Sequence, residues 1–166
     1  MIKSSKIARG GLYTALTILI LYICSIAPTN KLTLLAVASA IIPLSILTIG
    51  IKYSFAVYCA SGLLAVILGL NASAVNYILL FGVYGFIKYY VEALRKPVLE
   101  ILLKLIFFIC SAGLLYGVYS LLGLPLNFAL NIFILSLIYI VFAFIYDYAL
   151  TIIINFIDTK FKGAVK

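Results

Sequence analysis

The stretch Ile101–Leu115, ILLKLIFFICSAGLL, contains a single charged residue, Lys104. Its apolar residues follow one another directly, without the polar residue at every second position that a membrane β-barrel strand requires. The stretch Ile132–Ile145, IFILSLIYIVFAFI, shows the same continuous pattern. Backbone amides inside a bilayer must be satisfied within a helix or a closed barrel. Both stretches are therefore predicted to be transmembrane α-helices.

The composition extends this conclusion to the whole chain. Of the 166 residues, 67% are hydrophobic and 10% are charged, and the mean hydropathy is +1.32. A soluble protein of this size would expose one continuous apolar surface, whereas in a bilayer the same surface faces lipid. The fold class is therefore predicted to be all-α, a polytopic membrane protein. Residues 1–166 are expected to form one helical bundle without a soluble domain.

Polar residues, glycines and prolines divide the chain into six apolar segments joined by very short loops. Each segment approaches or exceeds the length of about 20 residues that crosses the hydrocarbon core of a bilayer. The boundary between the second and third segments is the weakest, because only Gly50 and Lys52 mark it. The predicted spans cover residues 7–27, 32–49, 53–70, 74–91, 98–122 and 127–156.

The basic residues predict the orientation of these spans. With six spans and a cytoplasmic N-terminus, eleven of the twelve Lys and Arg residues fall on the cytoplasmic side, and only Lys31 falls outside. Positive charge is enriched on the cytoplasmic side of membrane proteins. We therefore expect a multi-pass protein of the cell membrane with both termini in the cytoplasm. The net charge of +8 is explained by this topology, and its scattered distribution argues against a nucleic-acid partner.

The residues that usually carry catalysis are scarce. The chain has no histidine and four acidic residues, and its three cysteines, Cys24, Cys59 and Cys110, lie far apart in apolar segments. No zinc-ligand spacing and no phosphate-binding loop is present, and a Ser/His or Cys/His nucleophile cannot form without histidine. We expect no enzymatic activity, no cofactor and no metal.

A group of neutral polar residues is predicted to lie toward the outer face. Asparagine and tyrosine side chains can orient a small ligand by hydrogen bonds without the cost of burying a charge. Each residue alone is better explained as a helix cap or as part of the interfacial aromatic belt than as a ligand contact. The residues of this outer polar group, taken together as a candidate ligand-binding site, are Asn30, Asn76, Tyr77, Tyr116, Asn127 and Asn131.

Toward the inner face, Lys88 and Asp147 are predicted to lie at similar depth, a few residues inside the boundaries of the fourth and sixth spans. Ionisable residues at such depth usually pair or mark function. A structural Lys88–Asp147 ion pair is the main interpretation. A Lys88–Glu92 pair one helical turn apart and snorkelling of Lys88 to the headgroups are the alternatives.

Small residues recur on one side of the first span. Ala8, Gly11 and Ala15 follow one another at helical spacing, so this small-residue face is nearly flat. Such faces let another helix approach closely. Close packing of this kind stabilises helix association in a membrane, where the hydrophobic effect provides no driving force. The partner can be a second protein or another helix of the same bundle, and the spacing alone leaves both open.

Six short-looped helices in fewer than 200 residues, a cytoplasmic N-terminus and the stripe Ala8, Gly11-Leu12-Tyr13-Thr14-Ala15 resemble the S components of energy-coupling factor (ECF) transporters. The segment from Phe81 to Glu92 is also similar to one in small Firmicute membrane proteins. The ECF resemblance implies substrate capture at the outer side. It further implies that an Ala-xxx-Ala stripe on the first helix docks on a transmembrane T component driven by two ATPases.

Two functions are therefore expected from the sequence. The first is an ECF-type substrate-binding membrane subunit that captures a small, uncharged micronutrient and hydrolyses nothing itself. The second is a non-transport membrane protein that assembles with or regulates another membrane complex. The outer polar group distinguishes them, because ligand binding requires those residues to converge on a cavity.

Overall fold

The computed structural model describes residues 2–94, 96–121 and 132–163 of the chain, and in these ranges it contains helices and turns but no β-strand. A π-helical turn, Tyr77–Phe81, joins α4 to α5, so residues 71–93 form one continuous helix. The described ranges thus hold six long helices, in agreement with the predicted fold class. The elements are α1 (Ile2–Ile26), α2 (Lys31–Ile49), α3 (Ile51–Ile67), α4 (Asn71–Asn76), the π turn, α5 (Gly82–Ala93), α6 (Pro97–Leu121) and α7 (Ile132–Gly163).

Five of the six long helices are long and apolar enough to cross a membrane, and α3 is a shorter apolar helix. A multi-pass membrane protein is thereby confirmed. The 17 residues of α3 correspond to a rise of about 26 Å, a little less than the hydrocarbon core. Large apolar side chains are exposed along all six helices, for example Leu12, Leu63, Val98 and Tyr148. Such a surface is suited to contact with lipid or with another membrane protein.

The weak boundary between the second and third spans has a conformational cause. Gly50 lies between α2 and α3 with φ of +90°, a backbone conformation that residues with a Cβ rarely adopt. Its backbone N–H still donates to the carbonyl of Ile46, and its carbonyl accepts from the N–H of Ser54. One glycine therefore reverses the chain direction with almost no loop.

The chain forms two compact units, Met1–Tyr89 and Tyr90–Lys166. In the first unit, Tyr13 on α1 contacts Thr48 on α2, and Cys24 contacts Lys31, so α1 and α2 are antiparallel. Gly10 on α1 faces Val57 on α3, so α3 runs parallel to α1. The buried centre consists of Ile42, Ile46, Ile49 and Val57, with Tyr13, Tyr53, Tyr58 and Phe86 packed against it.

The second unit is built on α6 and α7. Lys104 on α6 contacts Asp147 on α7, and seven residues further along α6 Ser111 contacts Tyr139, so the two helices are antiparallel. Phe108 packs edge-on against the Tyr139 ring at a centroid distance of 6.3 Å. That both units together form one bundle stays a prediction.

Candidate functional site

The small-residue face of α1 is exposed. Ala8, Gly11 and Ala15 all lie at the surface, and a Cβ placed on Gly11 would meet no atom within 4 Å. The neighbouring Gly10 is different, since a Cβ there would lie 3.5 Å from Val57 and 3.7 Å from Ile49. Within the described residues, α1 thus packs with the side that carries Gly10 and leaves the small-residue face open.

The side of α1 that packs inward is defined by polar as well as apolar contacts. The hydroxyl of Tyr13 lies 3.0 Å from that of Thr48 on α2, and Thr17, one turn further on, is completely buried. Leu21 and Cys24 continue the same side and are also completely buried. Residues recurring every three or four positions form one face of a helix. The small-residue face is on the opposite side.

The members of the outer polar group have different environments. Tyr77 is 0% exposed and its hydroxyl lies 2.9 Å from that of Ser61, so in this conformation it belongs to the core of the first unit. Asn76 is partly buried, Asn30 is exposed, and Tyr116 is exposed on α6 of the second unit. Asn127 and Asn131 lie outside the described residues. The ligand-binding role of the group stays a prediction.

Asn30 has a conformational role that its sequence position alone did not indicate. It precedes α2 with φ of 63° and ψ of 23°, and its side chain makes no capping hydrogen bond. Its backbone carbonyl accepts from the N–H of Leu34. Asparagine tolerates the left-handed region better than most residues with a Cβ. The residue therefore fits this turn because of its backbone, and its exposed amide remains available.

A buried tyrosine network surrounds the π turn. The hydroxyl of Tyr58 on α3 donates to the carbonyl of Ile78 at 2.9 Å. Within the turn, the N–H of Gly82 donates to the carbonyl of Tyr77, five residues earlier. A π turn disrupts the regular helical hydrogen-bond ladder, and the Tyr58 hydroxyl supplies an additional donor there. The sequence analysis did not identify this network.

Gly82 permits the close approach of α3 to this turn. A Cβ at Gly82 would lie 2.7 Å from Cε2 of Tyr58 and 3.0 Å from the carbonyl oxygen of Tyr77. No real Cβ is accommodated at such distances without a shift of its neighbours. The glycine and the tyrosine thus form one packing arrangement, in which the Tyr58 ring occupies the space of the missing side chain.

A charged cluster lies in the second unit. Nζ of Lys104 lies 2.7 Å from Glu100, 2.8 Å from Asp147 and 3.5 Å from Glu92. Three of the four acidic residues of the chain thus contact one lysine, which is only 5% exposed. Burial of a charge is tolerated when it is paired and hydrogen-bonded. The cluster joins the end of α5 to α6 and α7.

The predicted partner of Asp147 was Lys88. Asp147 contacts Lys104 within the second unit, whereas Lys88 lies in the first unit and is buried, with 1% exposed. The Lys88–Asp147 pair stays a prediction. The sequence analysis did not predict Lys104 as a partner of Asp147. The spacing of Glu100 and Lys104, one helical turn apart, was the available signal.

A small cavity lies between α6 and α7, next to the charged cluster. Its volume is about 20 Å³, and Lys104, Phe108, Tyr139, Ala143 and Asp147 are among the residues that line it. That volume holds one water molecule, whereas pockets for small organic ligands measure hundreds of Å³. The described residues contain no group of three histidine, cysteine or acidic side chains able to hold a metal ion.

Neither a protein-family model, a curated protein nor a solved structure matches the chain.

Proposed function

We propose that the chain is the substrate-binding membrane subunit of an ECF-type uptake transporter. In this role it captures a small, uncharged micronutrient at the outer face and docks on a transmembrane T component coupled to two ATPases. The observation that carries the proposal is the exposure of Ala8, Gly11 and Ala15 on α1.

An exposed flat face on a membrane helix is suited to docking. Association of helices in lipid depends on close backbone approach, because lipid tails are as apolar as the side chains they contact. Gly11 has open space around its Cα, so a partner helix could approach to backbone contact there. Leu12 borders the face and is 65% exposed, which adds apolar area to such an interface.

The chemistry of the outer end favours an uncharged ligand. Asn30 carries an exposed neutral amide at the turn between α1 and α2, and Lys31 is the one predicted outer basic residue. A cationic ligand would need a carboxylate at its binding site, and no acidic residue is predicted at the outer face. Neutral donors and acceptors fit a neutral, polar micronutrient.

A non-transport partner protein is the second candidate. Tyr77 favours it, because its hydroxyl already bonds Ser61 in the core of the first unit and lies away from the surface. A small bundle that only assembles with another membrane complex needs the small-residue face but no ligand cavity.

Replacement of both Gly11 and Ala15 by leucine tests the proposal. The exposed face should accept the bulk, so the purified protein should remain monodisperse while co-purification of the T component and the ATPases from native membranes is lost. Ala56→Leu, at an exposed position of α3, is the matched control and should leave co-purification unchanged. Recovery of a different membrane complex, lost in the same variant, would favour the second candidate. Aggregation of the isolated double variant would show that the face packs within the protein and would contradict both.

A further inference from the structure

The charges of the chain are divided unequally between its two units. Residues 1–89 contain six basic residues and no acidic residue, because all four acidic residues lie at positions 92, 100, 147 and 158. Three of these four contact Lys104 in the second unit. The first unit therefore contains no carboxylate of its own to neutralise its exposed basic groups.

Three of the six basic residues lie at the same end of the first unit. Nζ of Lys6 on α1 lies 5.8 Å from the centre of the Tyr53 ring on α3, a cation–π contact. Lys52 directly precedes Tyr53, and Arg9 follows Lys6 by about one helical turn. Since α1 and α3 are parallel neighbours, Lys6, Arg9 and Lys52 form one basic end. Lys31 lies at the opposite end, where α1 stops and α2 begins.

The basic end has both exposed charge and adjacent apolar surface. Arg9 and Lys52 are exposed. Phe55, about one turn into α3 from Lys52, is 57% exposed. Ile7, beside Lys6 on α1, is also exposed. Positive groups thus border apolar side chains, as the headgroup of a lipid borders its acyl chains.

We propose that Lys6, Arg9 and Lys52 bind the phosphate of an anionic phospholipid. The guanidinium of Arg9 is suited to contact two phosphate oxygens at once, and the lysine ammonium groups supply point charges around it. The acyl chains lie along the exposed apolar surface that includes Phe55 and Ile7. The site is independent of transport, since it requires neither a substrate nor a T component.

The bound species is a lipid and not free phosphate, because the three cations lie at the end of helices whose surfaces face acyl chains. Basic clusters at this level of a membrane protein attract anionic lipids, at about 1 kcal/mol per Lys or Arg near the surface. A free phosphate ion would gain the electrostatic part only. A lipid gains the apolar contacts in addition.

The test measures lipid retained by the purified protein. Full-length protein in neutral detergent is titrated with phosphatidylglycerol or phosphatidylcholine, and bound lipid is counted by native mass spectrometry. We expect one phosphatidylglycerol to bind in clear preference to phosphatidylcholine. Arg9→Gln and Lys52→Gln should each lower this affinity about fivefold, which corresponds to about 1 kcal/mol. Lys31→Gln, which removes an exposed charge at the opposite end, should leave the affinity unchanged.

The comparison of phosphatidylglycerol with phosphatidylcholine on the wild-type protein tests the site even if a variant is unstable. Equal retention of the two lipids by the wild-type protein would overturn it. An equal loss in Lys31→Gln would also overturn it, because the effect would then be one of net charge. Displacement of the lipid by inorganic phosphate at comparable concentration would show a free-phosphate site and would contradict the lipid assignment.

Discussion

Nζ of Lys104 on α6 lies 2.8 Å from Oδ2 of Asp147 on α7, although the two residues are 43 positions apart in the chain. The same ammonium group donates to Glu100 at 2.7 Å. An ammonium group has three N–H donors. The contacts with Asp147 and Glu100, together with the Glu92 carboxylate at 3.5 Å, explain why the charge of Lys104 is tolerated in a buried position. One lysine thus links three helical segments of the second unit.

Removal of this lysine should destabilise the protein. Lys104→Met leaves three carboxylates close together without their shared cation, so we expect a loss of about 1–3 kcal/mol of stability, moderated by the partial exposure of the acids. Thermal unfolding in detergent measures it. Lys96→Met, which removes an exposed lysine, is the control and should have little effect. An unchanged unfolding temperature of Lys104→Met would show that the charged cluster does not stabilise the protein.

Double-mutant cycles compare the observed partner of Asp147, Lys104, with the predicted partner, Lys88. Asp147→Asn combined with Lys104→Met should give a combined loss clearly smaller than the sum of the single losses, because the residues are in contact. If Lys88 also pairs with Asp147, Lys88→Met and Asp147→Asn will be non-additive as well. Strict additivity of that second pair in thermal unfolding would exclude the Lys88–Asp147 interaction.

Gly82 should not tolerate a side chain. Gly82→Ala places a Cβ 2.7 Å from the Tyr58 ring, so we expect a loss of about 1–3 kcal/mol from overpacking. Gly113→Ala is the matched control on α6, because a Cβ there meets no atom within 4 Å and alanine favours the helix. Comparable unfolding temperatures for the two variants would mean that the close approach of α3 to the π turn is not a stabilising contact.

The predicted topology is tested by single cysteines in a protein that lacks Cys24, Cys59 and Cys110. With both termini in the cytoplasm, a cysteine at position 31 should react with an impermeant reagent added outside intact cells, and one at position 96 should react only after permeabilisation. Both positions are exposed, so accessibility does not confound the comparison. Labelling of position 96 from outside would contradict the predicted orientation.

The helices could be predicted from the sequence because bilayer thickness and the length of apolar runs constrain membrane helices strongly. The weak boundary at Gly50 was also predicted. The positive φ of Gly50 explains why a single residue can separate α2 from α3. The π turn was not predicted, because the hydropathy of Tyr77–Phe81 is the same for either helical hydrogen-bond pattern. The Lys104–Asp147 contact was missed for a different reason: it depends on how α6 packs against α7.

For the candidate site, residue types and spacings could be read from the sequence, whereas the contacts between helices could not. The spacing of Ala8, Gly11 and Ala15 identified a flat face, but only the packing of α1 reveals which of its sides remains open. For Tyr77, the residue type indicated a hydrogen-bonding group. Its partner, Ser61, belongs to another helix, and a single sequence contains no signal that joins them.

The π turn accommodates one extra residue and keeps the angular register between the two halves of the fourth span. A π turn contains one residue more than the α-helical turn it replaces, and each residue of an α-helix advances the chain by about 100°. Loss of a single residue between Tyr77 and Phe81 would therefore convert the π turn to a regular α-helical turn and leave Asn76 and Lys88 nearly in register, whereas loss of a residue from a regular α-helical part of the span would rotate the two halves by roughly that angle. A one-residue deletion at the π turn would keep the face that each half presents, and the span would still be long enough to cross the membrane.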